Sequence, residues 1–144
     1  MPEDDRYAII SIDQRHKAFY DGLKKASSPL RNLENSQIWL LAFALGFHNK
    51  LRAKSVQRAP GGYFRTEYFH DFIPFTLLRA VCVEEHGGDL TKAVDWSTIF
   101  CTGEELATGG TQALKELIES HGDFYKKLED ILRDEYKKKL VKKK

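Results

Sequence analysis

The sequence has no apolar run long enough to cross a lipid bilayer. The longest run, from Ile38 to Phe47, is about half of the roughly 20 residues that a transmembrane helix needs. The amino-terminal stretch MPEDDRYAIISID is acidic, whereas a secretory leader has a basic start followed by an apolar centre. We therefore expect a cytoplasmic protein with no membrane association.

Cysteine is also scarce. The chain has two cysteines, Cys82 and Cys101, and neither belongs to a CxxC pair. Both lie in apolar surroundings, which favours reduced, buried thiols over a disulfide framework.

The motifs of the common enzyme classes are missing as well. The sequence contains no GxxxxGK[ST], GxGxxG, HExxH or GxSxG pattern, and no two of its five histidines have a short metal-ligand spacing. We therefore predict no catalytic activity, no metal site and no cofactor. One enzymatic alternative is acid–base catalysis by His70, beside Asp71, or by His86, which follows Glu84 and Glu85.

What is present is the composition of one folded domain. With 144 residues, of which 42% are hydrophobic and 12% aromatic, the chain can bury a single core. Apolar residues recur mostly at helical spacing, so we predict an all-α, single-domain bundle of about five helices, with a possible short edge strand in YAIISI near the amino terminus. We assign residues 1–136 to this helical domain and 137–144 to a basic tail that we expect to be mobile.

Capping residues, prolines and glycines divide the chain into helical segments. The predicted helices cover about 14–25, a central helix capped by Asn35 or Ser36, a short helix and then a longer one from about Pro74 to Glu85, a segment from Asp95 or Ser97 to Ala107, and Thr111–Leu140 interrupted at Gly122.

Three glycines allow alternative interpretations. Gly46 is compatible with the end of the central helix or with a close helix contact. For Gly109 and Gly110 we predict a break between two helices, the second capped by Thr111. The alternative is an anion held by exposed amides at the start of that second helix.

The most informative segment follows the central helix. No Asp or Glu occurs between Glu34 and Glu67, and the interval contains five cations alternating with aromatic residues around a glycine loop. Phosphates attract convergent cations, and unstacked bases stack on rings, so this composition predicts a nucleic-acid-binding surface. Its candidate residues are Lys50, Arg52, Lys54, Arg58, Tyr63 and Arg65, with Phe47, Phe64 and Tyr68 beside them. In the alternative, Phe64 and Tyr68 belong to the core and the cations only solvate a loop.

The carboxy-terminal helix suggests a second class of function. Phe124, Leu128, Ile131 and Leu132 form an amphipathic stripe that could pair with a partner or with a copy of the chain. The alternative function is therefore a helical protein-interaction or homo-oligomerisation module with no nucleic-acid role. The terminal KKKLVKKK contains six lysines, which favours a solvated tail over a specific phosphate tether.

Three segments resemble a known family. LLAFALGFHNK at 40–50, the Ile73-Pro74-Phe75 region with the apolar helix after it, and EELATGGTQALKELI at 104–118 are similar to small Dnd-system-associated proteins encoded with DNA phosphorothioation loci. The resemblance covers roughly residues 30–132. It implies a helical, non-enzymatic accessory protein of a modification and restriction system used in phage defence, contacting DNA or proteins of that complex. It carries over no catalytic residue, only the structural positions Gly46, Gly109 and Gly110.

Overall fold

The computed structural model describes residues 9–25, 28–69, 72–119 and 124–142, which form five α-helices and one small antiparallel sheet. The helices are α1 (Lys17–Gly22), α2 (Asn35–His48), α3 (Ile73–Glu85), α4 (Trp96–Glu119) and α5 (Phe124–Lys142). In the sheet, β1 (Ile9–Ile10) pairs with β2 (Phe64–Arg65). The predicted all-α fold with about five helices and a short amino-terminal strand is confirmed.

Local sequence explains where the central helices begin. The carboxylate of Glu34 accepts the backbone N–H of Gln37, while the Gln37 side chain accepts the backbone N–H of Glu34 at 2.9 Å. This capping box makes Glu34, not Asn35 or Ser36, the residue that caps α2. In α3, Pro74 occupies the first turn, where its missing N–H removes no helical hydrogen bond.

Helix α2 lies at the centre of the core. It is apolar around most of its circumference, which is typical of a buried helix, and it buries Ile38, Trp39, Ala42 and Phe43. The Trp39 and Phe43 rings stack with centroids 5.6 Å apart. This arrangement agrees with the predicted central position of the helix.

Helices α2 and α4 are in backbone contact where Gly46 meets Gly110. A Cβ added at Gly46 would lie 2.0 Å from the Leu106 carbonyl oxygen, and one at Gly110 would lie 1.9 Å from that of Ala42. Only glycine allows such an approach, so Gly46 serves the close helix contact.

The predicted helix break at Gly109 and Gly110 is wrong. Helix α4 continues through both residues from Trp96 to Glu119, and Thr111 lies inside the helix with its hydroxyl donating to the Ala107 carbonyl. The anion-site alternative fails too, because these amides are not at the start of a helix. Helix propensity disfavours glycine inside a helix, but both positions are closely packed. Gly110 packs against α2, and Gly109 packs against the Leu51 backbone.

The predicted last helix is divided between α4 and α5. Gly122, its expected interruption, lies outside the described residues. Helix α5 continues across the predicted boundary at residue 136 and reaches Lys142. The mobility of the basic tail stays a prediction.

Candidate interaction surfaces

The loop that carries the basic segment is attached to the rest of the fold by backbone hydrogen bonds. Ala53 N–H donates to the Glu105 carbonyl, Ala59 N–H to Ile12 and Tyr63 N–H to Ile10, at 3.0, 2.9 and 2.8 Å. The loop therefore lies against α4 on one side and the amino-terminal strand on the other.

The Arg58 side chain contacts α4 and β1. Its Nε and Nη2 donate to the Glu104 carboxylate at 3.0 and 3.1 Å, and Nη2 also donates to the Ile9 carbonyl at 2.7 Å. Glu104 is only 3% exposed and accepts the Ser11 N–H as well. Burial raises the pKa of Glu104, while the Arg58 guanidinium and the Ser11 amide oppose that rise. This ion pair, in which the carboxylate is buried and the guanidinium is 36% exposed, joins the loop, β1 and α4.

A second buried carboxylate, Asp13, holds the same loop from the other side. It is 1% exposed, accepts Arg15 Nε and Nη2 at 2.9 and 2.6 Å, and accepts the Gln57 N–H at 3.1 Å. The side-chain hydrogen bond from Arg15 is the main reason that the pKa of Asp13 lies far below its ordinary value.

Arg52 and Arg65 are also ion-paired. The Arg52 guanidinium contacts Glu105 at 2.7 Å and lies 3.9 Å from Glu85. Arg65 pairs with Glu67 at 2.7 Å, both side chains being more than half exposed.

The expectation of five cations without neighbouring carboxylates is therefore wrong for Arg52, Arg58 and Arg65. Two of their partners come from α4 and are distant in sequence, and Glu67 is the acid that ends the acid-free interval. Lys50 and Lys54 are exposed, and neither makes an ion pair with the residues that the structure describes. Lys50 has a positive φ of 57°, which turns the chain immediately after α2.

The predicted aromatic residues divide between core and surface. Phe64 is buried, and Tyr63 is half-buried against Tyr20 with ring centroids 5.1 Å apart. Burial raises the pKa of Tyr63, and its buried hydroxyl has no hydrogen-bond partner among the described residues. Tyr68 is 51% exposed. The core alternative thus holds for Phe64 and fails for Tyr68.

Helix α5 passes beside the end of α2. His48 Nδ1 lies 3.5 Å from Glu135 Oε1, and Lys138 Nζ lies 3.9 Å from the same oxygen. Lys138 is exposed and lies one turn of α5 after Glu135, so this contact brings it to the end of α2, although about 90 residues separate it from Lys50 in sequence. Sequence periodicity carries no signal for this juxtaposition.

An apolar patch on α3 is the surface that sequence analysis missed. Phe72, Ile73 and Leu77 are 76%, 65% and 44% exposed, whereas Leu78 and Val81 of the same helix are buried. Helical spacing gives no signal for this exposure, because periodicity does not tell which side of a helix meets the protein. We name Phe72, Ile73 and Leu77 the α3 patch.

The stripe predicted on α5 is mostly covered. Phe124 is buried, Leu128 and Ile131 are half-buried, and Leu132 is 63% exposed. The uncovered apolar surface of α5 is therefore smaller than the sequence indicated.

The histidine alternative stays a prediction. His86 Nδ1 lies 2.7 Å from the Cys82 carbonyl oxygen and must be the donor, so Nε2 is the nitrogen that can accept a proton. His86 and Arg52 line a shallow cavity of about 350 Å³ together with Cys101, which is exposed and not buried as expected. Burial raises the pKa of Cys82, which makes it a poor nucleophile. His70 lies outside the described residues.

The described part of the chain contains no group of three or more potential metal ligands. Within it, no helix combines the length and apolarity that a bilayer crossing requires.

Comparisons with models of protein families, with curated proteins and with solved structures found no match.

Proposed function

We propose that this protein is a non-enzymatic interaction module that binds a partner protein through the α3 patch. The observation that carries this proposal is the exposure of Phe72, Ile73 and Leu77 on one short stretch of the surface. Ile73 and Leu77 are four residues apart and lie on the same side of the helix. Such an apolar surface is typical of a protein–protein contact.

The surroundings of the patch favour an apolar partner surface. No charged residue occurs between Phe72 and Leu78, and the single cation of α3, Arg79, lies over the Trp96 ring at 4.4 Å from its centroid. Thr76 and Ala80, both exposed, extend the uncharged surface along the helix. The partner would gain about 1.5–3 kcal/mol of hydrophobic free energy for each large side chain that it fully covers.

The resemblance to Dnd-associated proteins provides the proposed setting. In that setting the partner is a protein of a DNA phosphorothioation and restriction complex. The chain would then act as an accessory subunit, with no catalytic residues of its own.

Site-specific photocrosslinking tests the α3 patch. Benzoylphenylalanine at position 77 should give one discrete crosslinked product in extract of the native host, because this position lies in the contact. The same group at position 112, which is exposed on α4, is the matched control and should give none. Phe72→Ser with Ile73→Ser should abolish the product at position 77.

The mass of that product separates the two kinds of partner. A product of twice the chain mass, together with a dimer in light scattering, identifies a second copy and supports homo-oligomerisation. A larger heterologous product supports the accessory role. Absence of any product, or equal products at positions 77 and 112, contradicts the proposal.

DNA contact is a second candidate function, favoured by the contact between His48 and Glu135. The contact joins α5 to the end of α2, and Lys138 of α5 and Lys50 after α2 each lie within three residues of it. We name Lys50, Lys54 and Lys138 the lysine edge. In this version of the hypothesis Arg52 and Arg58 stabilise the loop through their ion pairs with Glu105 and Glu104. The lysines, and not these arginines, would contact the phosphates.

Fluorescence anisotropy with labelled duplex DNA at several salt concentrations tests this candidate. Lys50→Ala with Lys138→Ala should weaken binding and reduce the slope of log K against log salt by about 2, since each phosphate contact contributes about 0.9. Lys92→Ala with Lys126→Ala removes the same charge from exposed sites elsewhere and is the control. An equal loss in both double variants would indicate only a net-charge effect.

A further inference from the structure

A cavity of about 820 Å³ opens between the sheet and the start of α2. It is lined by Ile9 of β1, by Asn35 and Ser36 of α2, and by Tyr63 and Arg65 in and before β2. Its volume lies within the usual range for small-molecule sites. No residue of the α3 patch or of the lysine edge lines it, so this cavity is independent of both surfaces proposed above.

The cavity walls combine two cations with aromatic rings. Lys24 and Arg65 line it together with Tyr63, Phe64 and Tyr68. The Lys24 amine also contacts the Leu33 carbonyl. Cations bind the anionic part of a ligand, and ring faces bind its planar part.

Ser36 provides an independent polar group at the same place. It is only 4% exposed and lines the cavity, so its hydroxyl can contact a polar atom of a molecule that the cavity holds.

Arg65 can reach a ligand at little cost. Its present partner, Glu67, is 62% exposed, and ion pairs between exposed side chains contribute little to stability. An anion in the cavity could therefore replace Glu67 as the acceptor of the guanidinium. Glu34 also lines the cavity, but its carboxylate is engaged in the capping box of α2.

We propose that this cavity binds a phosphorylated nucleoside, with Arg65, Lys24 and the Ser36 hydroxyl contacting the phosphate and the exposed Tyr68 ring contacting the base. Adenosine 5′-monophosphate is a suitable probe, because it carries both chemical parts. Adenosine and inorganic phosphate each carry one of them.

Isothermal titration calorimetry of the full chain tests the proposal. Adenosine 5′-monophosphate should bind with one saturable site, and adenosine and phosphate should each bind at least about tenfold more weakly. Arg65→Ala should weaken binding of the monophosphate about tenfold or more, and Arg65→Lys should retain part of it. Ser36→Ala should weaken it by a smaller factor, because it removes one neutral hydrogen bond.

Arg133 provides the matched control. Its ion pair with Glu129 is 57% and 65% exposed, almost the same as that of Arg65 with Glu67, and it does not line the cavity. Arg133→Ala should therefore leave the affinity unchanged. Thermal melts confirm that each variant is folded before its affinity is compared.

Several results would overturn the proposal. These are no saturable binding of the monophosphate, equal weakening by Arg65→Ala and Arg133→Ala, or adenosine binding as tightly as its phosphate ester. If a 5′-phosphorylated trinucleotide displaced the probe and its 5′-hydroxyl form did not, the cavity would bind the phosphorylated nucleoside at the 5′ end of a nucleic-acid strand. Failure of any of these tests leaves the α3 patch and the lysine edge unaffected.

Discussion

The contact between α2 and α4 predicts that a single methyl group destabilises the whole fold. In Gly110→Ala the new Cβ would lie 1.9 Å from the Ala42 carbonyl oxygen, and in Gly46→Ala it would lie 2.0 Å from that of Leu106. Both obstacles are backbone atoms inside helices, so no side-chain rotation relieves the overlap. The two helices must move apart by about 1.5 Å to reach ordinary contact distance.

The magnitude follows from two opposing effects. Alanine in place of glycine in a helix gains about 1 kcal/mol of propensity, whereas overpacking a close-packed core costs about 1–3 kcal/mol and occasionally more. Separation of α2 from α4 also loosens the packing around Trp39 and Phe43, which are fully buried. We expect a net loss of about 2 kcal/mol in the free energy of unfolding, or about 4–8 °C in Tm.

Two other glycines complete a graded series. A Cβ added at Gly22, at the end of α1, would meet no atom from the rest of the fold within 4 Å, so Gly22→Ala should be neutral or stabilising by up to about 1 kcal/mol. At Gly103 the nearest atoms are side-chain atoms of Trp39 and Leu78, at 3.0 and 3.1 Å, so Gly103→Ala should be intermediate.

Urea unfolding followed by circular dichroism measures the series. We expect Gly22→Ala to be the most stable of the four single variants and Gly103→Ala to be intermediate. Gly46→Ala and Gly110→Ala should be the least stable, to a similar degree. If Gly110→Ala were as stable as the wild type, or more stable, the close helix contact would be refuted and helix propensity would dominate at this position.

Three further predictions concern buried groups. Glu104→Ala should destabilise the fold by about 1–3 kcal/mol in urea unfolding, because the buried Ser11 amide loses its acceptor, whereas Glu105→Ala, whose carboxylate is more exposed than that of Glu104, should cost about 1 kcal/mol or less. Similar losses in the two variants would contradict the difference in burial. The pKa of Asp13 is lowered in the folded state, so the stabilisation that its carboxylate provides is complete above the unfolded-state pKa of about 3.9 and is lost as the pH falls through the folded-state pKa. Between about pH 5 and pH 2, Asp13→Asn should therefore lose less stability to urea than the wild type does. Parallel pH profiles of the two proteins would argue against this. Cys101 should react with a maleimide in the native protein while Cys82 reacts only after unfolding, which peptide mass spectrometry can follow; equal native labelling would contradict the burial of Cys82.

Sequence predicted the elements of the fold better than their contacts. Some signals depend only on residues close together in the sequence. They are the proline in the first turn of α3, the apolar circumference of α2 and the β-branched pair Ile9–Ile10, and the corresponding elements are present. The boundary at Gly109 was placed wrongly because a glycine pair gives the same local signal in a turn and in a close helix contact. Packing against α2 decides between the two.

The candidate sites depended even more on tertiary structure. The acid-free interval around Arg58 is a property of the sequence, but Coulomb attraction acts through space, and Glu104 comes from a helix 46 residues further along. In the same way, helical spacing identified Ile73 and Leu77 as apolar positions without indicating whether any element covers them.

The amino-acid sequence by itself determined the helical class, the central apolar helix and the absence of familiar catalytic motifs, because propensity and periodicity are local. The tertiary structure alone decided which arginines are neutralised, which apolar residues face solvent, and that rings and cations meet at one cavity. Those properties depend on distances between segments far apart in the chain, which no local pattern encodes.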